Sequence, residues 1–115
     1  MIDSTANTSS SSLVITISSI NIDETFQVPH IVHPGETLSS SGLTTRSGGK
    51  GANMSVALGL SGVECWFVGS VGKDASWPLE ELKKRNVQTG LAQVLEGVPT
   101  GRAFIQIAKD GENSM

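Results

Sequence analysis

The chain has 115 residues, 37% of them hydrophobic, 17% charged and 4% aromatic, with a formal net charge of -3. The apolar share is enough for a packed core, and the acidic balance offers no footprint for nucleic acid or an anionic membrane. A single cysteine excludes an internal disulfide and a cysteine-based zinc site, and runs such as Leu13–Ile17 fall far short of the roughly 20 apolar residues of a membrane span.

A soluble intracellular protein of one modest domain at most is expected, with the cytoplasm as its compartment and the nucleus as a further one. The start of the chain lacks the positive segment of a secretory leader. Residues 1–12, mostly Ser, Thr, Asn and Asp, read as a disordered serine-rich tail. Leu13–Ile17 is continuous and β-branched, the pattern of a strand buried on both faces. It runs into Ser18-Ser19-Ile20-Asn21-Ile22-Asp23, where apolar residues give way to polar ones. Glu24 to Val32 carries a weak strand pattern broken by Pro29, and Pro34-Gly35 is a turn signal. Leu38 to Ser47 reads as an exposed strand or loop.

Gly48-Gly49-Lys50-Gly51-Ala52-Asn53 then opens a helix marked by Met54, Ala57, Leu58 and Ser61, with Gly62 at its end. Glu64 to Val71 reads as one core strand. A second helix is expected over Trp77 to Arg85, with Pro78 in its first turn and Lys83, Lys84 and Arg85 at its negative end. Val87 to Leu95 reads as a further strand. The alternation of strand and helix indicates a βαβ-type α/β sheet. Ala103 to Ala108 leads into Asp110-Gly111, a hairpin signal that lacks a returning strand in the four residues up to Met115.

Two stretches carry chemistry. Gly48 to Asn53 is neither a Walker loop, since Gly51 follows Lys50, nor a dinucleotide fingerprint, since the glycine spacing is too compact. A glycine loop at a helix start offers close backbone approach, N–H donors and the positive dipole end, and Lys50 and Asn53 add a charge and an amide. That suits a polyhydroxy or anionic small molecule, or else a plain strand-to-helix connection. In Asn21-Ile22-Asp23 the i, i+2 spacing puts both polar side chains on one side of an extended segment. A vicinal diol is the natural ligand, with an Asx-turn as the structural alternative. His30 and His33 read as loop histidines, because a metal would need further ligands and none stands close in sequence. Cys65 reads as buried and inert, and Trp66 and Trp77 as core or edge packing.

Taken in order, Ser19-Ile20-Asn21-Ile22-Asp23, Pro34-Gly35-Glu36-Thr37 and Gly48 to Asn53 with Val56-Ala57 resemble the PfkB carbohydrate kinase family, the ribokinase-like sugar kinases. The likeness continues through Gly69-Ser70-Val71-Gly72-Lys73-Asp74, Thr100-Gly101 and Gly111-Glu112-Asn113. It implies a parallel-sheet α/β core with a small β-sheet lid, truncated here, residues 13–115 being the N-terminal part and lid strands lying near 25–47 and 101–108. It also implies ATP-dependent phosphorylation of D-ribose at O5, with the sugar held by Asn21, Ile22, Asp23, Gly49, Lys50, Gly51, Ala52 and Asn53. Another sugar or nucleoside kinase of the family, or a non-catalytic sugar-binding or lid module, are the alternatives. ATP, Mg2+, a monovalent cation (K+) and a homodimer formed through the lid are implied for a full-length enzyme. The family's Gly-Ala-Gly-Asp segment, source of its catalytic aspartate, is absent from these 115 residues, so no catalytic residue is assigned and the piece alone is expected to be inactive. Ser18 stands where the family usually has Gly, Met54 where it has Gln, and Trp77 near a usual Gly.

Overall fold

The computed structural model describes residues 12–115, so the tail read over residues 1–12 lies, Ser12 apart, outside the described residues. Leu13–Ile17 forms β1, Glu64–Val68 forms β4 and Val87–Gln88 forms β6. They make a parallel sheet in the order β1-β4-β6, with Leu13 opposite Glu64 and Ile17 opposite Val68. Parallel neighbours need a crossover, and helix α1, Lys50–Leu60, supplies it between β1 and β4. Helix α2, Trp77–Lys84, supplies the next, with Pro78 in its first turn and Lys83 and Lys84 in its last.

One face of this sheet is the core. Cys65 and Phe67 are fully buried and pack with Ile20, Ala52, Val71, Leu79, Leu82 and Val87. Burying a side chain the size of Phe67 contributes about 2–3 kcal/mol. The Thr16 and Ser55 hydroxyls bond to each other inside this layer, and Ser55 Oγ also donates to the Gly51 carbonyl at 2.8 Å. A strand period of two sends Leu13, Ile15 and Ile17 to the opposite face, where they are 54%, 50% and 79% exposed. The expectation of a β1 buried on both faces is therefore corrected: the described residues provide a helical layer on one side only.

A second sheet has the order β3-β2-β8-β9, built from β2 (Asn21–Val28), β3 (Gly42–Gly48), β8 (Arg102–Ala108) and β9 (Asn113–Ser114). Strand β2 stops before Pro29, which has no N–H for the ladder. It pairs antiparallel with β3 and parallel with β8. The Asp110-Gly111 turn does have a returning strand, short as it is: β9 sets Asn113 opposite Ile107 and Ser114 opposite Gln106.

Two other expectations break in the middle. Glu64 to Val71 is not one strand, because the ladder breaks at Gly69, where a Cβ would lie 2.6 Å from the Ser18 carbonyl and 2.5 Å from the Phe67 ring. Val71 restarts in β5, Ser70–Gly72. Val87 to Leu95 likewise divides at a turn closed by Ala92 N–H to the Thr89 carbonyl, 3.0 Å, and resumes as β7, Gln93–Leu95, which pairs parallel with β5. The long connection between β2 and β3 is folded on itself. Glu36 N–H donates to the His33 carbonyl at 3.0 Å, and Gly35 has φ +79°. The His33 N–H and then the His30 ring hold the Glu36 carboxyl below the usual carboxylate range.

Candidate functional site

The two sheets meet at Ser18–Ile20, the link from β1 to β2, and the polar residues of the sequence motifs gather there. Asn21 and Asp23 open β2 with both side chains on one side, and Asn21 Nδ2 donates to Asp23 Oδ1 at 2.6 Å. Ile22 between them is 1% exposed on the opposite side, and its N–H donates to the Gly101 carbonyl at 2.9 Å. The dyad thus stands on a new strand rather than at the tail of β1.

Gly48 lies opposite Asn21 in the ladder, and a Cβ there would sit 2.3–2.5 Å from the atoms of the Asp23 carboxyl group. The carboxylate occupies the space that the missing side chain leaves. Gly49 follows at φ +104°, a backbone form that glycine adopts at low cost, with its Cα edge against the Ser19 carbonyl and Asn21 Oδ1. Helix α1 therefore starts directly beside the dyad, and no side chain caps its first turn. The helix start aims partial positive charge at the space next to a carboxylate and an amide, which is where hydroxyl oxygens of a bound polyol would be received.

The other candidates divide by role. Gly51 is buried, and a Cβ on it would meet the Ser18 side chain at 2.1 Å, so with Ser18 present only glycine fits. Ala52 is buried and its N–H donates to the Ser19 carbonyl at 3.2 Å, which ties the helix to the β1–β2 link. Lys50 is exposed at the first helical position. Asn53, also exposed, faces a neighbouring open groove of about 460 Å³, shared with Thr45, Arg46, Trp77, Glu81 and Arg85. Asn21 and Asp23 do not line that groove.

Sequence reasoning gave no role to the junction behind the dyad. Thr100 N–H donates to Asp74 Oδ1 at 2.9 Å, and its hydroxyl reaches the Ala75 carbonyl at 2.8 Å. Arg102 completes the joint with Glu24 at 3.0 Å and Asp74 at 3.6 Å. Gly101, held at this joint, approaches Asn21 Cβ to 3.6 Å from the position of a Cβ of its own. The Thr100 N–H above all, with its hydroxyl and Arg102, keeps the Asp74 carboxyl below its ordinary value. No spacing in the sequence signals this contact, since 26 residues separate the partners.

Comparison with known proteins gives a consistent likeness. The model of the pfkB family carbohydrate kinases matches residues 11–115. The chain is 36% identical over 103 residues to a ribokinase of Haemophilus influenzae, covering 86% of this chain and 33% of that one. Among solved structures it resembles ribokinase from Cryptococcus neoformans var. grubii serotype A in complex with ADP, at 48% identity and a TM-score of 0.80 over 91% of this chain and 33% of that one. Arabidopsis thaliana ribokinase complexed with ribose and ATP is 28% identical, with a TM-score of 0.75 over 91% and 35%. The chain thus spans about a third of the length of these relatives, and its α/β architecture with parallel strands is that of ribokinase-fold proteins. No helix among the described residues is long and apolar enough to cross a membrane.

Proposed function

The chain belongs to the pfkB family of carbohydrate kinases, and on that premise we propose that it is the sugar-binding third of an ATP-dependent kinase that phosphorylates D-ribose at O5. The observation that carries the reading is the Asn21–Asp23 dyad seated over Gly48 at the start of α1. Asp23 accepts hydrogen bonds from two neighbouring hydroxyls of the sugar, and the Asn21 amide fixes the carboxylate in place for them. Gly49 lets the backbone approach closely, and Lys50, exposed at the helix start, and Asn53, on the neighbouring groove, extend the sugar-contacting segment in this reading. Ile22, Gly51 and Ala52 serve through their backbone and packing, because their side chains are absent, small or buried.

In this reading the four-stranded sheet is a lid that carries the dyad on its own strand, with the Asp74–Thr100–Arg102 joint as its base. Closing it over the sugar excludes water and orients the acceptor hydroxyl, which is most of what a phosphoryl-transfer enzyme must do on the acceptor side. The outer side of the same sheet, where Leu43 and Phe104 are exposed, would meet a second copy. The aspartate that takes the sugar's proton, and the residues that bind ATP, belong to a Gly-Ala-Gly-Asp-containing segment beyond residue 115. ATP supplies the phosphoryl group. Mg2+ and K+ take shells of oxygen donors, and among the described residues the three-donor cluster is instead His30, His33 and Glu36. That set does not fit them, and in this reading their donors lie outside these 115 residues. The reaction is cytoplasmic in this reading.

The test is to express the reading frame that continues past Met115 and follow ADP release with D-ribose, 2-deoxyribose, adenosine and fructose in parallel. Preference for D-ribose is expected. Preference for another acceptor overturns the substrate, and an open frame without Gly-Ala-Gly-Asp overturns the enzyme.

A further inference from the structure

Away from the sugar dyad, on the connection between β2 and β3, we propose that His30, His33 and Glu36 form a binding site for a divalent cation of the zinc class. The expectation that no further ligand stands close to the two histidines is corrected: Glu36 follows His33 by three residues. The turn at Pro34-Gly35 reverses the chain and brings it back. Ligating atoms of all three residues lie within 4.8 Å of one another. His30 Nε2 is 2.9 and 3.0 Å from the two Glu36 oxygens. The His33 ring lies alongside that of His30, with centroids 5.4 Å apart and planes inclined by 27°.

The backbone holds this arrangement in place. Val32 N–H donates to Gln106 Oε1 at 2.9 Å, which anchors the connection to β8. Glu36 N–H bonds to the His33 carbonyl, and His33 N–H bonds in return to Glu36 Oε1, both at 3.0 Å. A tetrahedral zinc shell, with bonds of about 2.0–2.1 Å, places its donors roughly 3.4 Å apart. Glu36 and His30 lie closer than that, at 2.9 and 3.0 Å, so a cation between them would part the pair by a few tenths of an ångström. The exposed His33, within 4.8 Å, is the third donor. Water takes the fourth position.

The donor set also chooses the ion. Two imidazoles and one carboxylate suit Zn2+, Co2+ and Ni2+, whereas Mg2+ prefers oxygen ligands and keeps its water. An exposed histidine–glutamate pair contributes little to stability by itself, and it gives no reason for a second imidazole to stack beside the first. A shared cation gives that reason. Cys65, the single thiol of the chain, is fully buried and does not compete.

The experiment is isothermal titration of the 115-residue chain with ZnCl2, CoCl2 and MgCl2, alongside Glu36→Gln, His33→Ala and the double variant His30→Ala/His33→Ala. Saturable 1:1 binding of Zn2+ is expected, with Co2+ giving the intense visible absorption of a tetrahedral site and Mg2+ giving no heat. Loss of a ligand costs at least what loss of an outer-shell partner does, roughly 10–100-fold in affinity. Glu36→Gln and His33→Ala should therefore each weaken Zn2+ by that factor, and the double variant should abolish the site. Glu36→Gln preserves the acceptor for His33 N–H, so its effect is on the metal and not on the turn. Equal Zn2+ affinity in the wild type and the double variant, or binding of Mg2+ as tight as Zn2+, overturns the proposal.

Discussion

At the scale of single residues, the dyad depends on a side chain that is not there. Gly48 has an ordinary backbone conformation, so Gly48→Ala is tolerated by the main chain. The added methyl would nevertheless land 2.3–2.5 Å from the Asp23 carboxyl atoms and push that group off its seat. If Asp23 receives the sugar, Gly48→Ala and Asp23→Ala should weaken D-ribose binding by the extended protein about equally. The expected loss is on the order of tenfold or more, the value of one or two hydrogen bonds to a charged acceptor. Calorimetry decides it, and undiminished affinity in Gly48→Ala would show that the carboxylate is not the clamp. A second residue-scale expectation concerns acid. Asp74 titrates below its ordinary 3.8 in the folded protein, chiefly through Thr100 N–H. In that range the unfolded chain binds the proton more readily than the folded one, so stability rises with pH. The contribution of Asp74 is complete above pH 3.8 and fades as pH falls through the depressed value. A plot of Tm against pH should be shallower below pH 3.8 for Asp74→Asn than for the wild type. Matching slopes would mean that the Thr100 contact does not persist in solution.

Among elements, α1 shows how far local pattern goes and where it stops. Its start at the glycine loop, and its end just before Gly62 at φ +91°, follow from residue types alone. The dyad was equally legible, because an i, i+2 pair on an extended segment shares a side whatever the rest of the fold does. Contacts set by the packing of distant segments were not legible. Gly48 under Asp23 depends on the β2–β3 register, and Thr100 on Asp74 spans 26 residues. The breaks at Gly69 and Thr89 carry a local mark, the Gly69-Ser70 and Thr89-Gly90 pairs, but nothing in those pairs says that the two halves join different sheets. Gly59 tests this distinction. In isolation, Gly→Ala inside a helix is worth about 1 kcal/mol of added stability. Here a Cβ would lie 2.6 Å from the Arg85 carbonyl and 2.9 Å from that of Asn86, both backbone atoms of the turn after α2. Asn86 itself sits at φ 65° and donates from Nδ2 to the Gly59 carbonyl at 3.0 Å, so the turn has little freedom to retreat. Gly59→Ala should accordingly destabilise by about 1–3 kcal/mol in urea unfolding. A gain in stability would show that α1 and α2 part easily.

For the whole molecule, the governing fact is a sheet with one finished face. Leu13, Ile15 and Ile17 stand exposed, beside the half-buried Trp66 and Val68 of β4. They lie on the strand at the sheet's edge, where unpaired N–H and C=O groups run alongside the apolar side chains. Soluble monomers rarely leave a contiguous apolar patch of more than a few hundred Å² in water, and a patch on an open edge is the worse case. The 115-residue chain should therefore self-associate as its concentration rises. The contact should run through this face, with Ile15→Thr/Ile17→Lys restoring the monomer in sedimentation velocity. The lid offers a rival surface at Phe104, 60% exposed, and Leu43, 57% exposed. Association that survives the β1 pair but disappears in Phe104→Ser would assign the contact to the lid, as the proposed dimer requires. A wild-type chain that stays monomeric at every concentration would refute both contacts. The two surfaces lie on different sheets, so substitutions on one should leave association through the other unchanged.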